Sequence, residues 1–459
     1  MTDSRALAAL TILNAIAATV YLAQPNLFPL IVLEQVKLSV VHGNSPMSAG
    51  AYARYSFILC SQGNDIASGY QFGCLALALS EKFNDKAINT RVLLMVGALT
   101  IPWKHHLSQG LPLLDRAYGD GLVSGNLDGA ALGHYYNSQS SYLIGQELHE
   151  LEHKVAVRSQ QLRQIKQELH LNNNELLRQV ILNLLGRSDT ICRLVGEAFN
   201  EDTMLSQYQS ASNILGLYSF HLHKLLLYYW FGQPSKAAEQ ATLAAKYLAG
   251  ATAQATVPLF YFYDSLVGLA QYVAAPYPEQ QLVLERVNNN QAKIEHWAQF
   301  APMNFQHKFD LVAAEQSRVL GQKANAIEAY DRAISGAIEA GYILEEVLAN
   351  ELTGIFYLDW GLEKVAASYL QDAYYCYTHW GATAKTDDLA KRYPYLLQPI
   401  LKQADPAINL LNTLATIAAP TLKIDVKAAE NYPLFTTTNN ALDFASVLKS
   451  AQAISDTIV

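Results

Sequence analysis

Between Gln306 and Pro394 small and aromatic residues recur at the spacing of stacked helical pairs, and that recurrence restricts this chain more than any other feature. Ala326, Tyr330 and Ala333 lie at i, i+4 and i+7, one stripe of a helix with 3.6 residues per turn. Ala366, Leu370 and Ala373 repeat the stripe forty residues later, preceded by Gly354 and Tyr357, and the block ends on Trp380-Gly381-Ala382. Small residues let two helix backbones approach, and a large one fills the remaining gap. Looser versions precede the block: Ala237, Ala241 and Ala244 follow Gly232, and Ser68, Phe72 and Leu75 follow Gly63.

This is the pattern of a tetratricopeptide-type pair, whose apolar face is buried only against its neighbours. The predicted fold is all-α, a tetratricopeptide-like helical-repeat solenoid over residues 1–403. Turn clusters at Gly43-Asn44-Ser45-Pro46, Gly119 to Gly125, Gly232-Gln233-Pro234 and Ala275-Pro276-Tyr277-Pro278 divide the helices. A possible subdivision lies near 143–190, which is rich in Gln, Glu, Arg and His with Leu, Ile and Val at helical spacing. That stretch reads as one long two-sided helix or as a hairpin broken at Asn172-Asn173-Asn174. Residues 404–440 turn to Ala, Thr, Asn and Pro and read as a linker. Residues 441–459 regain helical periodicity through Leu442, Ala445, Leu448 and Gln452.

Composition narrows the function. Charged residues are only 16% of 459 while hydrophobic ones are 51%, so much surface is buried or covered. A net charge of −8 without a basic run argues against nucleic-acid binding, which needs clustered Lys and Arg. Cys60, Cys74, Cys192 and Cys376 are scattered, which suits a reducing cytoplasm and neither a disulfide framework nor a thiolate zinc site. Ala6 to Ala23 is the one apolar stretch of membrane-like character. Thr11, Asn14 and Thr19 interrupt it, so a buried helix is expected in place of a membrane span.

The sharpest chemical motif is His149-Glu150-Leu151-Glu152-His153, an H-E-x-x-H. On a helix His149 and His153 share a face and could hold zinc, with Glu150 as general base. Glu152 and Lys154 place charges where a zinc helix is buried, and Ala156 and Ser159 occupy the Gly and His positions of the extended motif. A solvated charged helix is the expected reading. Glu168 or Glu175 remains as a third ligand for the zinc-hydrolase alternative. His149-Glu150-Leu151 is also similar to a sensor-kinase phosphoacceptor box but lacks the following Pro. No G-x-x-x-x-G-K-[ST] or G-x-S-x-G occurs, and no catalytic residue or cofactor is expected. Tyr261, Tyr263, Tyr374 and Tyr377 form two aromatic runs that suit either an interaction surface or gaps between helices.

Seven strings then stand in order: Gly69-Tyr70-Gln71-Phe72-Gly73, Trp103-Lys104-His105-His106, Tyr142 to Leu148, Asn183-Leu184-Leu185-Gly186, Phe262 to Leu266, Ala349-Asn350-Glu351-Leu352 and Tyr374 to Ala382. Together they make the whole chain resemble the helical middle region of cyanobacterial-type multi-domain signalling kinases. In that family a Ser/Thr kinase domain and an AAA/STAND ATPase precede the region, and a GAF sensor and histidine kinase follow it. Leu442 to Ser455 resembles the helix leading into the GAF domain. None of the family's kinase, ATPase or phosphoacceptor residues has a counterpart here. The resemblance implies a non-catalytic scaffold in the cytoplasm that couples an upstream ATPase/kinase to a downstream GAF–histidine kinase. A stand-alone peptide- or protein-binding adaptor is the alternative.

Overall fold

The computed structural model describes residues 1–61 and 65–404; the linker expected beyond 404 and the helix expected over 441–459 lie outside them. The described residues form twenty α-helices. The first nine are Ser4–Ala23 (α1), Phe28–His42 (α2), Pro46–Ser61 (α3), Ile66–Phe83 (α4), Lys86–Leu99 (α5), Leu111–Ser124 (α6), Leu127–Leu143 (α7), Leu148–Gln164 (α8) and Glu168–Leu184 (α9). Then come Glu201–Ser210 (α10), Ile214–Trp230 (α11), Pro234–Tyr247 (α12), Thr256–Tyr272 (α13), Tyr277–Ala298 (α14) and Pro302–Val319 (α15). Lys323–Ala340 (α16), Ile343–Asp359 (α17), Glu363–Trp380 (α18), Thr383–Arg392 (α19) and Pro394–Ala404 (α20) complete the order. The described residues contain no β-strand, only an isolated bridge between Val195 and Asn200. The fold is all-α.

Local chemistry sets the helix ends. Asp65, Asp85, Asn126 and Asn213 each accept a backbone N–H of the first turn, satisfying donors that the helix leaves open. At the other end Gly321, Gly341, Gly361 and Gly381 recur every twenty residues, each with positive φ between 72° and 86°. Each closes its helix by the same pair of bonds. At Gly321 its own N–H donates to the Arg318 carbonyl and the Gln322 N–H to the Ser317 carbonyl. One helix plus one turn therefore takes twenty residues here, and one hairpin forty.

Within a hairpin the small residues lie where the backbones meet. Ala326, Tyr330 and Ala333 are buried on α16, and Ala366, Leu370 and Ala373 on α18. A Cβ added to Gly354 would lie 2.7 Å from Leu370 Cγ, so only glycine permits that crossing of α17 and α18. Tyr357 is half-buried and stacks on Tyr369 with ring centroids 5.6 Å apart. Ala237, Ala241 and Ala244 are the buried stripe of α12. On α4 the buried stripe is Ile66, Gly69, Gly73, Ala76 and Leu79, offset from the expected Ser68, Phe72 and Leu75. Gly69 faces Cys60 and Gly73 faces Thr100, so glycines carry a contact that larger residues were expected to make.

Two further expectations are corrected. Residues 143–190 contain a hairpin, but it breaks at Ile165–Gln167, where Lys166 has φ 56°. Asn172-Asn173-Asn174 lie inside α9, and the Asn174 amide donates inward to the Val155 carbonyl and Ser159 Oγ. A buried amide with partners is a packing group, not a helix breaker. Helix α1 is buried only along Ala6, Leu10, Asn14 and Ala17, while Leu7, Ile12 and Ile16 are exposed. Ser4–Tyr21 is the one segment among the described residues long and apolar enough to cross a membrane.

Odd-numbered helices touch the odd helix two along, α3 with α5, α7 with α9, α11 with α13 and α13 with α15. Contacts are not confined to neighbours, however. The segment between α5 and α6 and the α7–α8 junction lie against helices far along the chain. Trp103 Nε1 donates to the Ala253 carbonyl at 3.2 Å, and Trp380 Nε1 to the Gln146 carbonyl at 3.2 Å. The Asn304 side chain, at the start of α15, donates to the Pro102 and His105 carbonyls at 2.7 Å each. It also accepts from the Leu107 N–H and the Tyr342 hydroxyl. Gly145 lies against Ile343 at the start of α17. The first half is folded back over the starts of α13, α15, α17 and α19.

Candidate functional site

Two concave features lie along the second half. The smaller is a cavity of about 20 Å³ at the junction of the halves, bounded by Leu107, Leu143, Asn304, Lys308, Tyr342 and Glu345. It has room for one water molecule. Lys308 and Glu345 form a buried ion pair beside it at 2.9 Å, and Lys308 Nζ also contacts His307 Nε2 at 3.0 Å. Burial lowers the Lys308 pKa, with Glu345 opposing, and burial beside Lys308 keeps His307 well below its ordinary value. His106 and His307 each lie 5.0 Å from the Tyr342 ring, centroid to centroid. Glu345 Oε2 is buried beside the cavity without a hydrogen-bond partner.

The larger feature is a half-open groove of about 300 Å³. It is built from successive odd helices: Tyr229 and Trp230 from α11, Ala270 from α13, Glu315 and Arg318 from α15, Leu348, Glu351, Leu352 and Ile355 from α17, and Arg392 from α19. Two of these helices carry the same construction. On α15 the buried Glu315 accepts from Arg318 at 2.7 Å and from the Tyr330 hydroxyl of α16. On α17 the buried Glu351 accepts from the Tyr377 hydroxyl of α18 at 2.8 Å, from Lys385 at 3.0 Å and from Arg392 at 2.7 Å. Helix α13 adds a third acid, Asp264, which accepts from Asn290 of α14 at 2.8 Å. A carboxylate on an odd helix, met by a polar group of the next helix, thus recurs along the array.

The electrostatics follow from the pairing. Burial alone would raise the Glu351 carboxyl pKa, but Lys385 and Arg392 outweigh it and hold it below the usual range. Burial opposes the charge on Arg318 and Arg392, yet Glu315 and Glu351 respectively prevail and keep both firmly cationic. Tyr330 and Tyr377 are raised by burial and then by the acids they bond. Lys385 is fully buried and also donates to the Trp230 carbonyl at 2.8 Å, tying α19 to the end of α11.

The motif residues lie elsewhere. His149, Glu150 and His153 sit on the exposed side of α8, whose opposite face buries Leu148, Leu151 and Val155. His149 Nδ1 is 2.7 Å from Glu147, and Glu150 pairs with Lys154 at 2.8 Å. Glu175 is bound to Arg163 and Arg178. No set of three His, Cys, Asp or Glu side chains that could hold a metal is assembled among the described residues. Tyr263 and Tyr377 are fully buried, so the surface expected of the four tyrosines reduces to Tyr261 and Tyr374, which are half-buried. Tyr263 accepts from Trp230 Nε1 at 2.9 Å, and Lys293 Nζ sits 3.9 Å over the Tyr261 ring.

The groove residues Glu315, Arg318 and Arg392, and Lys385 behind them, were not singled out by sequence. A weak signal was available: Glu315 in Leu311-Val312-Ala313-Ala314-Glu315 and Glu351 in Val347-Leu348-Ala349-Asn350-Glu351 are acids at core-facing positions. An acid buried in an apolar stripe requires a partner. Neither a protein-family model nor a curated protein matches the chain.

Proposed function

We propose that this chain is a non-catalytic helical-repeat scaffold of the tetratricopeptide-like kind, working in the cytoplasm by contact with other protein modules. The observation that carries the reading is the forty-residue hairpin set by Gly321, Gly341, Gly361 and Gly381, which stacks odd helices side by side into one groove. Stacked hairpins present surface and are a means of bending or holding partners. The unit is longer than the 34 residues of the tetratricopeptide itself, so it is a relative in architecture and not in length. The resemblance to the middle region of multi-domain kinases supplies the partners: an upstream ATPase/Ser-Thr kinase and a downstream GAF–histidine kinase, coupled through the array.

A stand-alone adaptor is the second reading, favoured by the half-open groove, which is free to take a ligand in trans. The zinc-hydrolase reading has the least support, since His149 and His153 face outward without a third ligand beside them. The test is sedimentation of the purified chain with recombinant ATPase/kinase and GAF–histidine kinase modules of that family. Co-sedimentation with either is expected of a coupling module. No association with either, in a chain that is folded by circular dichroism, overturns it. Stoichiometric zinc that Glu150→Gln leaves bound while abolishing a proteolytic activity of the wild-type chain would overturn the non-catalytic reading.

A further inference from the structure

We propose that the groove between α15, α17 and α19 is a receptor for a carboxylate carried on a short aliphatic body. Arg318 and Arg392 each spend one edge of the guanidinium on a buried acid. Arg318 uses Nε and Nη2 on Glu315, and Arg392 uses Nη2 on Glu351 and Asp388. Arg318 Nη1 lies outside the contact with Glu315, Arg392 keeps one face toward the Tyr393 side chain, and both arginine side chains are partly open, 22% and 31% exposed. A guanidinium already locked by one carboxylate presents its remaining N–H groups in a fixed plane. That geometry suits a second carboxylate and spares the ordering entropy of a free side chain.

Charge selects the valence of the ligand. In the lining Arg318 and Arg392 are balanced by Glu315 and Glu351, and behind it Lys385 by Asp388, so the lining is neutral as a whole. A single negative charge can be met by the open N–H groups. A phosphate dianion would add a second charge beside two buried acids, at a much larger electrostatic cost. Shape selects the rest. Leu348, Leu352 and Ile355 lie at i, i+4 and i+7 on α17, an apolar strip beside the arginines, and Ala270 faces it from α13. The volume of about 300 Å³ falls at the lower end of small-ligand sites. The same chemistry is offered by a free aliphatic acid and by a protein chain ending in an aliphatic residue.

The proposal deepens the binding-module reading and rests on it. The experiment is calorimetric titration of the full chain with octanoate, octanamide, and a pentapeptide ending in leucine as free acid or as amide. Octanoate is expected to bind with Kd of about 0.1–1 mM and octanamide at least roughly tenfold more weakly. Arg318→Lys keeps the charge but removes the fork, and is expected to weaken octanoate about tenfold. Ile355→Gln alters the half-exposed apolar wall without touching an ion pair, guarding against misfolding of the arginine variant, and is expected to weaken it similarly. Tighter binding of the peptide acid than of octanoate assigns the site to chain ends; the reverse assigns it to free acids. Silence of octanoate and peptide acid at about 5 mM overturns the proposal. So does equal binding of octanamide, or wild-type binding by both variants. A chain that ignores every carboxylate yet sediments with a kinase module loses this inference alone.

Discussion

Arg54 and Lys385 are both buried cations that tie three helices together, but they are built on opposite terms. Arg54, on α3, reaches Asn14 of α1 at 2.7 Å and Gln35 of α2 at 3.4 Å, with no acid in contact. Burial pushes its pKa down to about 10. Lys385, on α19, meets Glu351 at 3.0 Å, Asp388 at 3.4 Å and the Trp230 carbonyl. At the N-terminal end the buried cation meets neutral amides, the Tyr21, Phe28 and Phe57 rings form a cluster, and Ile12, Leu30, Val40 and Val41 are exposed. The C-terminal end is held by a connected ionic network beneath a groove. A network of charges fixes the relative position of α11, α17 and α19, which a binding surface requires; amides around a lone cation fix much less.

The sharpest way to break this comparison is to remove both cations. Lys385→Met leaves Glu351 buried with fewer partners, and a loss of about 3–5 kcal/mol in urea unfolding is expected. Arg54→Met removes a buried charge that has no acid to compensate it, and a change within about 1 kcal/mol is expected. Equal losses in the two variants would show that the acid pairing does not distinguish the ends.

The next effect concerns the junction. Asn304→Ala strips partners from the Pro102 and His105 carbonyls, the Leu107 N–H and the Tyr342 hydroxyl, four groups at the junction, and is expected to cost about 2–4 kcal/mol. Amide exchange over Ile101–Gly110 should rise more than over α18. Gly354→Ala forces a Cβ against Leu370 in a packed crossing and is expected to cost about 1–3 kcal/mol by the same unfolding assay.

The last expected effect is silent at neutral pH and emerges only on acidification. His223 is buried and burial pushes its pKa down to about 4. Between that value and the ordinary 6.5, the unfolded chain binds a proton that the folded chain does not. Stability should therefore be lost as pH falls from about 6.5 to 4 and level off below, for this residue. His223→Phe should flatten that part of the unfolding-versus-pH curve. Glu351, held low, acts in the same direction further down, its contribution lost as pH falls through its folded value.

How much of this was legible follows from the range of each interaction. The stripes at Ala326, Tyr330, Ala333 and at Ala366, Leu370, Ala373 are local, and they are the buried faces of α16 and α18. The hairpin near 143–190 was one of two readings the sequence allowed, the other being a single long helix, and its corner was displaced because Asn172 to Asn174 look like breakers until Asn174 is seen donating to Val155 and Ser159. The twenty-residue spacing of Gly321, Gly341, Gly361 and Gly381 was in the sequence and would have given the unit length directly. The groove was not legible. Glu315 and Tyr330 share a hairpin, but Glu351, Lys385, Arg392 and the Trp230 carbonyl come from three odd helices, and no local pattern couples them. The junction was hidden for the same reason: Gln146 and Trp380 meet across 234 residues.

The central claim is that the first half is closed onto the second, and four of the five indoles report it directly. Trp103 and Trp380 donate across the junction, Trp230 donates to Tyr263 within the second half, and Trp360 is 39% exposed. Hydrogen exchange of the indole N–H groups, followed by NMR, should leave Trp103 and Trp380 as protected as Trp230 while Trp360 exchanges fast. Exchange of Trp103 and Trp380 at the rate of Trp360, with Trp230 still protected, would contradict the closed arrangement.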